Sequence, residues 1–117
     1  MKFTTQDFEI IEQERIRFSC YVDEIIKELR VLELSNSPVE RFHVAAELRT
    51  SLSAELSRVR HAAAWEVSRG LHGAERGAEL LGCGPANIRR MVGAYLSVLR
   101  AHHDGNLSVL DSQTMVK

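Results

Sequence analysis

From Thr5 to Leu34 the chain has no Gly or Pro, and its apolar residues return in steps of three and four. Positions 8, 11, 15, 18, 22, 25, 29 and 32 read Phe8, Ile11, Arg15, Phe18, Val22, Ile25, Leu29 and Leu32. That is a heptad seam with a single polar member, and it predicts one long helix. Ile10, Ile16, Tyr21, Ile26 and Val31 widen the stripe beyond what one facing helix would cover. Such a helix wants several neighbours, in a bundle or from another chain. Arg15 on the seam is either a register-setting polar residue or one whose head reaches out to an acidic neighbour.

Ser35-Asn36-Ser37-Pro38 ends this helix and starts a second. Ser37 and Glu40 have capping-box spacing, and Pro38 falls where a missing N–H costs nothing. A loop this short predicts antiparallel neighbours. The second helix runs from Pro38 toward Arg69, with a weak point at Thr50, Ser51 and Ser53 where a break is expected. Gly70, Gly73, Gly77, Gly82 and Gly84 then crowd into fifteen residues and predict short helices with tight turns. After Pro85 a last helix reaches about Arg100. Residues 102–117 read as a tail that is frayed or disordered.

The pattern predicts an all-α protein, a long N-terminal helical hairpin followed by a three-helix unit. Residues 1–50 form a dimerisation or interaction region, 51–101 a compact domain and 102–117 the tail. At 117 residues, 44% apolar and 26% charged, the chain has the composition of a globular domain. No apolar run approaches the length that spans a bilayer, and the N-terminus lacks a signal-peptide core, so the expected location is cytoplasmic. Cys20 and Cys83 stand far apart with no Cys-x-x-Cys spacing, which argues against a disulfide framework or zinc knuckle. Both read as packing residues.

Net charge is −1, but it is unevenly spread. Residues 1–57 hold seven Lys and Arg against eleven Asp and Glu, whereas 58–117 hold eight against five. The basic half is the one able to meet phosphates.

Within it, Ala74-Glu75-Arg76-Gly77-Ala78-Glu79-Leu80-Leu81-Gly82-Cys83-Gly84-Pro85-Ala86-Asn87-Ile88-Arg89-Arg90-Met91 resembles the helix-turn-helix of bacterial DNA-binding regulators. The likeness includes the version in sigma-factor region four and in small actinobacterial regulators. The resemblance implies that Ala78 is the small residue where two helices cross and that Gly82 makes the left-handed turn. It further implies that Leu81, Cys83, Ile88 and Met91 complete the motif core. Gly77 stands where the family has a larger apolar residue, which predicts a loose first helix. Gly84-Pro85 replaces the usual Ser or Thr cap.

Periodicity gives the same faces independently. With Ile88 set inward at 100° per residue, Met91, Val92, Tyr95 and Leu99 fall on its side. Ala86, Arg90 and Gly93 fall opposite, with Arg89 at the side and Asn87 at the flank. Arg suits guanine O6 and N7, and Ala suits a thymine methyl. Ala86, Asn87, Arg89 and Arg90 are therefore the candidate base readers, and Arg69, His72 and Arg76 the candidate phosphate contacts.

The expected function is a dimeric, sequence-specific transcriptional regulator that binds double-stranded DNA. Phe8, Ile11, Phe18, Val22, Ile25, Leu29 and Leu32 would form the dimer seam. The competing reading is a protein-interaction module (an antitoxin, partition or polymerase-associated adaptor) that captures a partner through the N-terminal helices. Trp65 reads as packing, and His102-His103 as favourable charge at a helix end. No nucleophile with a base, phosphate loop or paired carboxylates appears, so neither an enzyme nor a cofactor or metal site is expected.

Overall fold

The computed structural model describes residues 3–70 and 73–102. Those residues form four helices: α1 (Thr5–Leu34), α2 (Pro38–Gly70), α3 (Ala74–Leu81) and α4 (Pro85–His102), with no strand among them. The all-α reading is what the structure shows. His72 and residues 103–117 lie outside the described residues.

The chain divides into two compact units. One is Thr4–Ser57; the other comprises Phe3 and the described residues from Arg58 onward. That division falls inside α2, between Ser57 and Arg58.

In the first unit, α1 starts at a reciprocal cap. The Thr4 hydroxyl accepts from the Asp7 N–H at 3.0 Å, and the Asp7 carboxylate accepts from the Thr4 N–H at 2.9 Å. Two orphan donors of the first turn are thereby satisfied. At the start of α2 only half of the expected box forms. The Glu40 N–H donates to the Ser37 hydroxyl at 3.1 Å, but the Glu40 carboxylate accepts from the Ser35 hydroxyl instead of reaching back to Ser37. Ser35 takes over that task, accepting from the Ser37 N–H at 3.1 Å.

Two contacts set the register of α1 against the first half of α2. Arg17 donates to both carboxylate oxygens of Glu55, each at 2.9 Å, and also to Glu14 at 3.2 Å. One turn on, the Tyr21 and Ser51 hydroxyls share a hydrogen bond of 2.6 Å. Four residues forward on α1 correspond to four back on α2, so the helices run antiparallel. Ile11, Phe18, Ile25 and Leu32 of the predicted seam are half-buried, whereas Phe8, Val22 and Leu29 are exposed. Arg15 points outward and pairs with Glu12 at 3.5 Å.

The break expected at Thr50–Ser53 is absent, and α2 is continuous. The polar side chains there are satisfied without unwinding it. Thr50 donates to the Ala46 carbonyl at 3.3 Å, and Ser51 meets Tyr21.

The second unit is cored by Ala64, Ala74, Ala78, Ile88 and Met91, with Cys83 and Val92 packed against them. Trp65 and Tyr95 add a tilted ring pair, their centroids 5.7 Å apart. Gly77 does not loosen α3. It is buried, and a Cβ there would meet Val67, Ser68 and Ile88 at 3.6–3.9 Å, so the missing side chain lets α3 lie close against its neighbours.

Candidate nucleic-acid interface

The turn between α3 and α4 is built on Gly82, whose φ of 70° and ψ of 31° are left-handed. The Ala78 carbonyl accepts from the Gly82 N–H at 2.8 Å and from the Cys83 N–H at 3.2 Å, closing the end of α3. Gly84 then precedes Pro85, and its carbonyl accepts the first bond of α4, from the Ile88 N–H at 3.1 Å. Proline at the first helical position serves here without a side-chain cap.

α4 divides cleanly into two faces. Ile88, Met91, Tyr95, Leu96 and Leu99 are buried, while Ala86, Asn87, Arg89, Arg90 and Gly93 are exposed. The helix contains Arg89, Arg90 and Arg100 and no acid at all. An acidic residue in the first turn would normally answer the helix dipole; that role is vacant here.

The exposed cations are lightly engaged. Arg90 donates to the Asn87 side-chain oxygen at 2.8 Å. Arg89 lies 3.9 Å from Glu75 of α3, and Arg76 pairs with Glu79 at 2.8 Å. All of these ion pairs are solvent-exposed, so opening one costs about 0–1 kcal/mol.

Two of the sequence expectations are corrected. Arg69 is only 5% exposed: it sits one turn beyond Trp65 on the inward stripe of α2, and its guanidinium is not on offer to a phosphate. Leu81 is 41% exposed; Cys83, after the turn, packs against the cluster instead.

The sequence reading also missed a contributor. Arg60 and His61 lie on α2, and the charges of Arg60 and Arg90 both act on the His61 ring. Burial lowers the His61 pKa below the ordinary 6.5, and the two arginines lower it further. A neighbouring Arg-His pair on a separate helix leaves no mark in the motif that begins at Ala74; the basic balance of residues 58–117 was the available signal.

Because the folded protein binds this proton less readily than the unfolded chain, the contribution of His61 to stability is complete above pH 6.5. It is lost as pH falls through the lower folded value. The His61 ring resonance, followed by NMR, is expected to titrate below 6.5, and Arg90→Ala to move that midpoint upward. An unmoved midpoint would show that Arg90 does not act on the ring.

Among the described residues no group of three His, Cys, Asp or Glu could hold a metal ion, and no helix is long and apolar enough to cross a membrane. Comparison with protein-family models, curated proteins and solved structures found no match to this chain.

Proposed function

We propose that the protein is a sequence-specific DNA-binding regulator of the helix-turn-helix kind, acting as a homodimer in the control of transcription. The first turns of α4 enter the major groove. Arg89 and Arg90 read guanine edges, Asn87 bonds a base or phosphate, and Ala86 lies against a thymine methyl. Arg76, joined by Arg60 and His61, meets the backbone. A dimer would set two such helices in successive major grooves, about 34 Å apart on a roughly palindromic site.

The observation that carries this reading is the outward face of α4. Two adjacent arginines and no acid stand over a fully buried Ile88, behind a left-handed glycine turn. A solvated helix face in a purely structural bundle has no need to exclude acids along eighteen residues.

The test separates base readers from backbone contacts. Arg90→Ala is expected to weaken the specific site by about 1–3 kcal/mol and relax preference at one base pair. Arg76→Ala should weaken all duplexes alike and reduce the salt slope by about one. Competition titrations on specific and random duplexes across salt concentrations read both. Equal losses on both duplexes would overturn the assignment of α4 as the reading helix. If neither variant alters DNA binding, the protein is an interaction module acting through its N-terminal helices.

A further inference from the structure

On the outward face of α4, Arg90 is held by a neutral group. Its Nη2 donates to Asn87 Oδ1 at 2.8 Å, and both residues are exposed. Arg76 and Arg89, by contrast, are drawn to the carboxylates of Glu79 and Glu75. Among the described residues Arg90 has no ion pair, and the nearby charges on α2, Arg60 and His61, are basic groups. Helical period explains the pairing. Asn87 and Ala86 stand one turn toward the N-terminus from Arg90, and side chains on a helix lean that way. Asn87 offers an acceptor within reach, and Ala86 is too small to obstruct the guanidinium. Gly93, almost one turn further on, has open space around its Cα.

We infer that Asn87 is a positioning residue for Arg90, aiming its guanidinium at a guanine while leaving its charge intact. The inference rests on the reading of α4 as the recognition helix and names what fixes its specificity.

The chemistry of the pair supports this division of labour. An amide nitrogen has no acceptor to offer a guanidinium, so contact with Arg90 fixes Oδ1 as the atom that faces it. A guanidinium has two edges able to grip guanine O6 and N7 together, Nη1 with Nη2 and Nη2 with Nε. One acceptor on Nη2 occupies one hydrogen and spoils only one edge. The other edge stays free for the base. A carboxylate in the same place would also cancel the charge that strengthens the contact. Asn87, for its part, loses the two-bond grip on adenine N6 and N7, because the N6–H would compete with Arg90 for Oδ1. Its Nδ2 remains free to donate to a base or a phosphate. The two residues therefore specify one guanine together, not a guanine and an adenine separately. Ordering a long side chain before binding spares that cost on the duplex, a gain of about two- to tenfold for the correct base.

The test has one arm without DNA and one with it, both on the full chain. In the free protein, 15N relaxation of the Arg90 Nε–H is expected to show greater motion in Asn87→Ala than in the wild type, with helix content unchanged by circular dichroism. Equal motion in the two proteins rejects the pairing. In the second arm, wild type, Asn87→Ala, Asn87→Asp and Arg90→Ala each select from one pool of randomised duplexes, and base preferences are read by sequencing. Asn87→Ala should relax a guanine preference by about two- to tenfold at the same base pair that Arg90→Ala relaxes. Asn87→Asp keeps the acceptor, so that preference should persist while every duplex binds less well beside the added negative charge. Relaxation by Asn87→Ala at a different base pair, with the guanine preference intact, would make Asn87 a reader in its own right and overturn the inference. An Arg90→Ala effect with none from Asn87→Ala rejects the positioning role and leaves α4 as the reading helix. A wild type that enriches no duplex rejects both.

Discussion

Replacing Trp65 with alanine is expected to destabilise the unit beyond Arg58 by about 3–5 kcal/mol. Trp65 is buried and its ring lies against Tyr95, which is buried as well. Removing the indole leaves a void bordered by an aromatic ring that cannot bend to fill it. For a domain of this size each kcal/mol moves the melting temperature by roughly 4–8 °C, so a drop of more than about 10 °C is expected. Trp65→Phe keeps a ring beside Tyr95 and should lose distinctly less. Circular dichroism is the appropriate readout, because Trp65 is the sole tryptophan and its fluorescence disappears with the substitution. A change below 1 kcal/mol would show that the ring pair is not part of the core.

Ile88→Ala is expected to cost about 2–5 kcal/mol, and Ile88→Val about 0.5–1.5. The Ile88 side chain has no solvent exposure, and three of its four companions in the buried cluster are alanines. Alanines have no rotamers with which to close a cavity, which leaves Met91 as the adaptable neighbour. Urea denaturation of the three proteins measures the series. Because Ile88 lies in the first turn of α4, its loss should also weaken the proposed DNA binding, but only in proportion to the unfolded fraction. Binding measured at low temperature, where the variant is folded, should return to near the wild-type value. A binding defect that persists in the folded variant would mean that Ile88 positions the proposed reading face as well as filling the core.

Helix limits were legible because they rest on local rules. Thr5–Leu34 contains no breaker, and Ser37-Pro38 and Gly82 act on the few residues beside them. Partner choice along the helices was less legible. The apolar count placed Phe8 and Val22 on the same seam as Phe18 and Ile25, yet the antiparallel contact takes Phe18 and Ile25 and leaves the other two outside. The contact is completed by Glu14, Arg17, Tyr21, Ser51 and Glu55, polar residues that an apolar pattern passes over. Ser51 reads locally as a helix weakener until its distant partner Tyr21 is known. The candidate interface divides in the same way. The outward placement of Arg89 and Arg90 follows from helical period alone. The burial of Arg69 and the approach of Arg90 to His61 depend on packing between helices.

Cys20, read from the sequence as a packing residue, is instead exposed on α1, whereas Cys83 is half-buried beside the core. The two thiols therefore differ in access, and a maleimide dye added at low stoichiometry should react first at Cys20. By helical period Cys20 stands about 120° round α1 from the line through Glu14, Tyr21 and Ile25 that meets α2. A fluorophore there would leave the contact between α1 and α2 undisturbed. Mixing donor-labelled and acceptor-labelled chains would then turn subunit exchange in the proposed homodimer into an energy-transfer signal, giving its lifetime from an unmodified sequence.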